Sequence, residues 1–256
     1  MNADPLISVI APAFNATGFY DAWLGSIQAQ DYPKLEVVLV DDGSTDSLGE
    51  RAKNAPPFLR YIRQDNRGPA AARNAGIAAS RGELIAFLDM DDLWAPGHLS
   101  RLSAALQAEP DLEIAQGLIR NFLRNEDGRP CYCSRPYRFI NVGSAVFRRN
   151  VFDWCGVFDD SMRFAEDFDF LIRCWEKGMR KQAIEEVSLL YHRHETNMTL
   201  GKNVVEMGLV AVYKRRIDRL RAGAIHPAMA RPCEVRYWDY IGGSVWPFDE
   251  GIREPV

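Results

Sequence analysis

Two short acidic runs hold the residues of this chain best suited to a charged ligand. The first, Asp41-Asp42-Gly43-Ser44-Thr45-Asp46, follows the apolar stretch Val37-Val38-Leu39-Val40, and the second, Asp89-Met90-Asp91-Asp92, follows Phe87-Leu88. A β-branched run that ends in carboxylates and turn residues reads as a buried strand delivering acids to its carboxyl end, where open parallel sheets bind ligands in a crevice. Asp42 can accept hydrogen bonds from a base imide or from ribose hydroxyls; the plainer alternative is a turn with an aspartate helix cap. Side chains two apart on a strand share a face, so Asp89 and Asp91 are expected to converge on one point, as a hard divalent cation requires. Mg²⁺ or Mn²⁺ at that point would bridge carboxylate and pyrophosphate and neutralise a departing nucleoside diphosphate. Three acids within four residues also fit poorly in a dry core.

The elements that must position these acids follow from the hydrophobic pattern. Strand-like runs fall at 7–11, 35–40, 59–62 and 83–88, and helical segments between them at 19–30, 69–80 and 98–108, which predicts a mostly parallel sheet covered by helices. Between the two acidic runs lies Asn66-Arg67-Gly68-Pro69-Ala70-Ala71-Ala72-Arg73-Asn74-Ala75-Gly76. Its small residues let a helix pack closely on the sheet, while Arg67 and Arg73 can hold a phosphate or order the acidic cluster. Asn74 and Gly76 read as structural. Further on, strands are predicted at 114–122, 143–147 and 183–191, and helices at 150–154, at 166–177 with Gly178 as its stop, and at about 203–221. The aromatic-rich stretch from Arg231 onward has no assignable regular structure.

Composition bounds the classes. The 256 residues are 47% hydrophobic and 26% charged, with a net charge of -4, the balance of an ordinary globular protein. No long basic run suggests a nucleic-acid partner, and Lys214-Arg215-Arg216 reads as a solvated helix face, with contact to a membrane or an acidic ligand as the alternative. Five cysteines at irregular spacing, Cys131, Cys133, Cys155, Cys174 and Cys233, form no disulfide framework or zinc pattern, which fits a reducing compartment. With no apolar run long enough to span a bilayer and no signal-peptide pattern, a cytoplasmic location is expected, with peripheral association at the inner membrane face.

Four ordered motifs resemble the family 2 glycosyltransferases, whose nucleotide-sugar-binding fold is GT-A: Val9-Ile10-Ala11-Pro12-Ala13-Phe14-Asn15, the Asp41–Asp46 run, the 66–76 segment, and 82–92 with its Asp89-Met90-Asp91. Together they cover roughly the first hundred residues, with further matches at Glu166-Asp167 and Tyr191-His192-Arg193-His194. The resemblance implies a GT-A-like α/β domain over 1–202, with a nucleotide-binding part at 1–92, an acceptor-binding part at 93–202, and a C-terminal helical extension and tail at 203–256. It implies Asp42 as the base-binding carboxylate, Pro12, Ala13 and Asn15 as lining of the base and ribose pocket, Asp91 as the metal ligand, and Asp89 as a contact of ribose or metal. It further implies Asp167 as the catalytic base, and His194 with Arg193 beside the pyrophosphate or metal. The partners so implied are a nucleotide-sugar donor, a UDP-sugar in the first instance, and a glycan or lipid-linked acceptor.

Asp167 falls at a helix start, where free backbone N–H groups and the helix dipole favour an ionised carboxylate able to take an acceptor proton; Glu166 is the neighbouring candidate. Asp169 and Arg173, four apart, read as an exposed or structural helix pair. His192 and His194 alternate on a predicted strand and should face one side, with His194 either on the metal or donating to phosphate. Processive relatives carry membrane helices and a Gln-x-x-Arg-Trp motif that this chain lacks, so single addition is expected; inversion is what the resemblance implies. Two alternatives stand beside it: a sugar-phosphate nucleotidyltransferase, disfavoured because no glycine-rich loop follows the first strand, and a binding module without turnover that uses Tyr237, Trp238, Tyr240, Trp246 and Phe248 against sugar rings.

Overall fold

A computed structural model describes residues 4–198, 200–203, 205–223, 240 and 254–255. Strands β1 (Ile7–Ala13), β2 (Leu35–Asp41), β3 (Leu59–Arg63) and β4 (Leu84–Phe87) pair in parallel, in the order β4-β1-β2-β3. Helix α1 (Tyr20–Gln28), the short α2 (Leu48–Ala52) and α3 (Pro69–Ala79) connect them. Along β1, alternate residues Ile7, Val9, Ala11 and Ala13 pack with Trp23 and Ile27 of α1, whereas Ile10 packs with Ala70 and Ile77 of α3. Both faces of the strand are therefore buried, which is why its sequence is apolar apart from Ser8, whose hydroxyl donates to Glu36 and accepts from the Gly82 N–H.

Helix α3 is seated by its small residues, as its sequence predicts. Pro69 opens it at the first helical position, where a missing N–H costs nothing. A β-carbon on Gly76 would lie 2.3 Å from Ile10 Cγ2, so only glycine permits this approach. The Asn74 side chain donates to the Phe158 carbonyl at 2.8 Å and accepts from the Phe158 N–H at 3.0 Å. Both residues are structural.

The second half extends the sheet through β5 (Leu93–Trp94), β6 (Ile114–Arg124), β7 (Pro130–Tyr132), β8 (Ala145–Arg148), β9 (Lys181–His192) and β10 (Glu254–Pro255). Helices α4 (His98–Ala108), α5 (Asn150–Cys155), α6 (Glu166–Glu176) and α7 (Leu209–Arg221) accompany it. The main path of the sheet runs β10-β7-β6-β8-β4-β1-β2-β3, with β9 beside β6 and β5 beside β9. The expected α/β architecture is present, but the pairing is uniformly parallel only in its first half. In the second half β8 runs antiparallel to both β4 and β6, and β7 to β6, while β6 and β9 are parallel, so the whole sheet is mixed. The connection from β6 to β7 is too short for a crossover and permits only a hairpin.

Other differences have local causes. The strand predicted at 143–147 begins at Ala145, because Val142–Ser144 forms a 3₁₀ turn whose Gly143 N–H is capped by the Asn141 side chain at 2.7 Å. The last helix starts at Leu209 rather than near 203, since Gly208 sits at φ +74°, outside helical geometry, and the Asn203 side chain accepts from Val205 and Glu206 N–H in a turn. Arg215 and Arg216 are not a solvated cluster: they pair with Asp159 and Glu176, while Arg219 reaches both Asp169 and Glu176. The Asp169–Arg173 pair is structural, with Asp169 buried. Tyr240 is buried under the Lys181 ammonium and cannot stack on a sugar; Tyr237, Trp238, Trp246 and Phe248 lie outside the described residues. Among the described residues no helix is long and apolar enough to cross a membrane.

The α3 seat gives a stability test. Gly76→Ala should lower unfolding free energy by about 1–3 kcal/mol in urea denaturation, by overpacking against Ile10. A variant as stable as the parent would contradict the close approach.

Candidate active site

The carboxyl ends of the parallel neighbours β4, β1 and β2 lie side by side at one edge of the sheet. From β1, Pro12 is partly buried, Ala13 is buried and pairs in register with Asp41, and Asn15 is exposed in a left-handed conformation at φ +50°. Asparagine tolerates that conformation better than most residues. Its N–H donates to Ser44 Oγ at 2.9 Å and its Oδ1 accepts from the Thr45 N–H at 2.8 Å, which ties the two loops together. Asp42 is almost fully buried and accepts from Gln64 Nε2 at 2.7 Å and from the Arg67 and Gly68 N–H groups at 2.9 and 2.7 Å. It thus shapes the loop that leads into α3. An ionised carboxylate has about four acceptor positions, so one remains for a ligand. Asp41 points elsewhere, accepting from Ser44 N–H, Tyr61 and Arg63.

The second acidic run lies on a turn, not on the strand. Strand β4 ends at Phe87, so face-sharing along a strand does not place Asp89 and Asp91. Asp89 is instead gripped from α3 by Arg73, whose Nη2 donates to both carboxylate oxygens at 2.8 and 2.9 Å. The other nitrogen, Nη1, donates to Glu166 at 2.5 Å. Arg73 is buried, and Asp89 and Glu166 hold its guanidinium charged against the penalty of burial. Arg73 therefore orders the acidic cluster, joining the turn after β4 to the first residue of α6.

Asp167, the second residue of α6, is partly buried, and its Oδ1 accepts from the Phe168 N–H at 2.8 Å. Burial, then Glu166, push its carboxyl up to about 7, against the opposing pull of Arg73. The expectation that the helix start would favour the ionised form is overturned, because desolvation and a like charge outweigh the dipole.

Asp91 faces His194, with Oδ2 3.0 Å from Nε2, and Asn197 Nδ2 lies 2.9 Å from the same nitrogen. Sequence reading passed over Asn197; its signal is a polar residue three beyond His194 in a turn, where its Oδ1 also accepts the His194 N–H at 2.8 Å. Burial and the nearby Asp89 raise the Asp91 carboxyl above its ordinary range. Strand β9 ends at His192, so His194 lies beyond it, yet the two rings remain 4.9 Å apart. His192 is stacked on Phe122 and its N–H donates to Asp92, so it packs while His194 faces Asp91. The Arg193 N–H donates to the Phe122 carbonyl at 2.8 Å. Beside Asp91 opens a cleft of about 90 Å³ lined by Phe19, Met90, Leu93, Phe122, Arg124 and His192 among others.

The donor chemistry here fits a divalent cation only in part. Among the described residues no three His, Cys, Asp or Glu side chains converge as a closed cage. A crowded carboxylate with an imidazole beside it matches the sparse protein ligation of Mg²⁺ or Mn²⁺, which complete their shells with phosphate oxygens and water.

Comparison with known proteins gives the family. The family model described as Glycosyl transferase family 2 matches residues 8–220. The uncharacterized glycosyltransferase EpsJ of Bacillus subtilis is 28% identical over 76% of this chain and 63% of its own length. The putative colanic acid biosynthesis glycosyl transferase WcaA of Escherichia coli is 28% identical over 86% of this chain and 84% of its own. Less than two thirds of EpsJ is thus spanned. Among solved structures, the Pyrobaculum calidifontis mannosyltransferase PcManGT in complex with GDP-Man and Mn²⁺ superposes with a TM-score of 0.65, 22% identity, and coverage of 91% of this chain and 67% of that one. Staphylococcus aureus TarS 1-349 in complex with UDP-GlcNAc gives 0.60, 24%, 78% and 62%. These likenesses show the GT-A fold.

The Asp167 environment carries a linkage consequence. Its folded carboxyl binds a proton up to about pH 7, whereas an unfolded aspartate releases it near 4, so this group subtracts stability as pH rises through that window. Asp167→Asn should therefore melt several degrees above the parent at pH 8, with the gap closing toward pH 4. A pH-independent difference would contradict the raised carboxyl.

Proposed function

Because the chain belongs to glycosyl transferase family 2, we propose that it moves a single sugar from a nucleotide-sugar donor, a UDP-sugar, to a hydroxyl of a glycan or lipid-linked acceptor with inversion at the anomeric carbon. The observation that carries this reading is the Arg73 bridge, which brings the turn of Asp89 and Asp91 to the helix of Asp167. Donor and acceptor ends of one reaction can then share a cleft. WcaA, named for colanic acid biosynthesis, supports a role in surface or extracellular glycan assembly.

In this mechanism the first half, to residue 92, binds the nucleotide, residues 93–202 shape the acceptor side, and 203–256 form an extension. Asp42 offers its remaining acceptor position to the base imide, with Pro12, Ala13 and Asn15 lining base and ribose. Asp89, aligned by Arg73, receives a ribose hydroxyl. Asp91 and His194 would hold Mn²⁺ or Mg²⁺, which supplies neutralisation of the diphosphate charge as it departs. Arg193 stands beside the diphosphate. Asp167 in its ionised form removes the acceptor hydroxyl proton while that oxygen bonds to the anomeric carbon and the bond from carbon to the diphosphate oxygen breaks on the opposite face. Its carboxyl near 7 is matched to proton transfer at neutral pH. Glu166, already engaged by Arg73, raises the proton affinity of Asp167 rather than taking the proton. The enzyme works on the cytoplasmic face of the membrane.

An α-linked UDP-sugar should thus yield a β-linked product, read by NMR of the new linkage, and Asp167→Asn should lose about 10²–10⁴-fold in turnover with donor affinity nearly unchanged. Retention of configuration would overturn the single displacement, and a larger loss in Glu166→Gln would move the base by one residue. Saturable donor binding without turnover on any acceptor would favour a binding module. For the nucleotide, UDP with Mn²⁺ should raise the melting temperature more than GDP, CMP or dTDP do, and equal shifts would remove the UDP assignment.

A further inference from the structure

Helix α7 is turned inside out relative to an ordinary surface helix. Its cations Arg215, Arg216 and Arg219 face inward, onto Asp159, Asp169 and Glu176, and Val212 is its buried apolar residue. Its outward face, at the helical spacing of positions 210, 213, 217 and 220, carries Val210, Ile217 and Leu220, which are 59%, 45% and 48% exposed, bordered by Tyr213, 40% exposed with one edge of its ring against Phe168 at 6.4 Å between centroids. Lys214 and Arg221 lie along the same face, where both are exposed. Of the eleven exposed large apolar side chains among the described residues, seven fall between Met198 and Leu220. Scattered surface apolar residues need no explanation, but a stripe of them on one helix does.

We propose that the outward face of α7 is a docking surface for an anionic lipid bilayer, with Val210, Tyr213, Ile217 and Leu220 entering the interface and Lys214 and Arg221 meeting the headgroups. An apolar stripe edged by cations is the pattern of a helix lying in the membrane plane, and it needs only one face. A second copy fits worse. A helix of 13 residues is about 20 Å long and offers a stripe of roughly 200 Å², well short of the roughly 800 Å² per partner of a stable interface. Pairing two such faces would also bring Lys214 and Arg221 of both helices into one contact. The site gains from the placement, because α7 is ion-paired to α6, the helix that begins with Glu166 and Asp167. Docking would hold the cleft close to the bilayer, where a lipid-linked acceptor presents its hydroxyl; this last point rests on the proposed transfer, whereas the docking surface does not.

The test is flotation of the full chain with vesicles of phosphatidylcholine alone or mixed with phosphatidylglycerol, alongside transfer to a water-soluble acceptor. Binding should require phosphatidylglycerol and fall with salt; Ile217→Asp with Leu220→Asp, and separately Lys214→Glu with Arg221→Glu, should each weaken it about tenfold or more. Circular dichroism and unchanged transfer to the soluble acceptor would show these variants folded. Absence of flotation with the parent chain overturns the proposal, as does binding that both double variants retain. Concentration-dependent dimerisation abolished by Ile217→Asp with Leu220→Asp, without flotation, would assign the stripe to a second copy. Loss of transfer by every form, with flotation intact, would count against the proposed reaction and not against the docking surface.

Discussion

The arrangement of this site depends on one buried cation. Arg73 is inaccessible to solvent, and a lone guanidinium there would be strongly disfavoured; two carboxylates on separate elements, Asp89 after β4 and Glu166 at the head of α6, make it tolerable. The converse holds for Glu166, which without Arg73 would be buried with no balancing charge, while the half-exposed Asp89 would lose the contact that orients it. Such a triad adds little net stability, yet its planar fork fixes where the two elements meet. Its position in turn depends on α3, which is seated by Gly76 on Ile10 and tied by Asn74 to Phe158. Small-residue packing on the sheet is thus coupled to the geometry of the acids.

Competing electrostatic effects then sort the carboxylates. Asp42 accepts from three N–H donors, which fix it in its loop with one acceptor position left, whereas Asp91 and Asp167 are crowded and partly desolvated. A helix N-terminus offers an exposed carboxylate roughly 0.3–1 kcal/mol, while each unit of pKa displacement corresponds to about 1.4 kcal/mol. A carboxyl moved from the aspartate range to about 7 has therefore been moved by burial and by Glu166 on a scale the dipole cannot match. The same crowding gives Asp167 a proton affinity suited to neutral pH and makes Asp91 receptive to a cation.

Much of the first half was legible in the sequence because its constraints are local. Strands buried on both faces give unbroken apolar runs, and breakers such as Pro69 mark helix ends, so α3 and α4 fall where the pattern puts them. Less was legible where geometry comes from distant partners. Asp89 and Asp91 were identified, but their meeting was ascribed to strand alternation, when a turn, Arg73 and His194 hold them. Asn197 was missed, since nothing in a lone asparagine reveals that it lies beside both Asp91 and His194. The short strands β5, β7 and β10 carry too few residues for a period, and the inward turn of the α7 arginines follows from acids on α6 and before it.

The central claim is that burial and Glu166, opposed by Arg73, set the protonation of Asp167 in an assembled site. The most direct measurement is a carbon-13 NMR titration of aspartate carboxyl groups, with the Asp167 signal assigned by its loss in Asp167→Asn. The account predicts titration at about 7 in the parent chain and a further upward displacement in Arg73→Met, where the neighbouring positive charge is gone. An Asp167 that titrates in the ordinary range near 4, or one indifferent to the loss of Arg73, would contradict it.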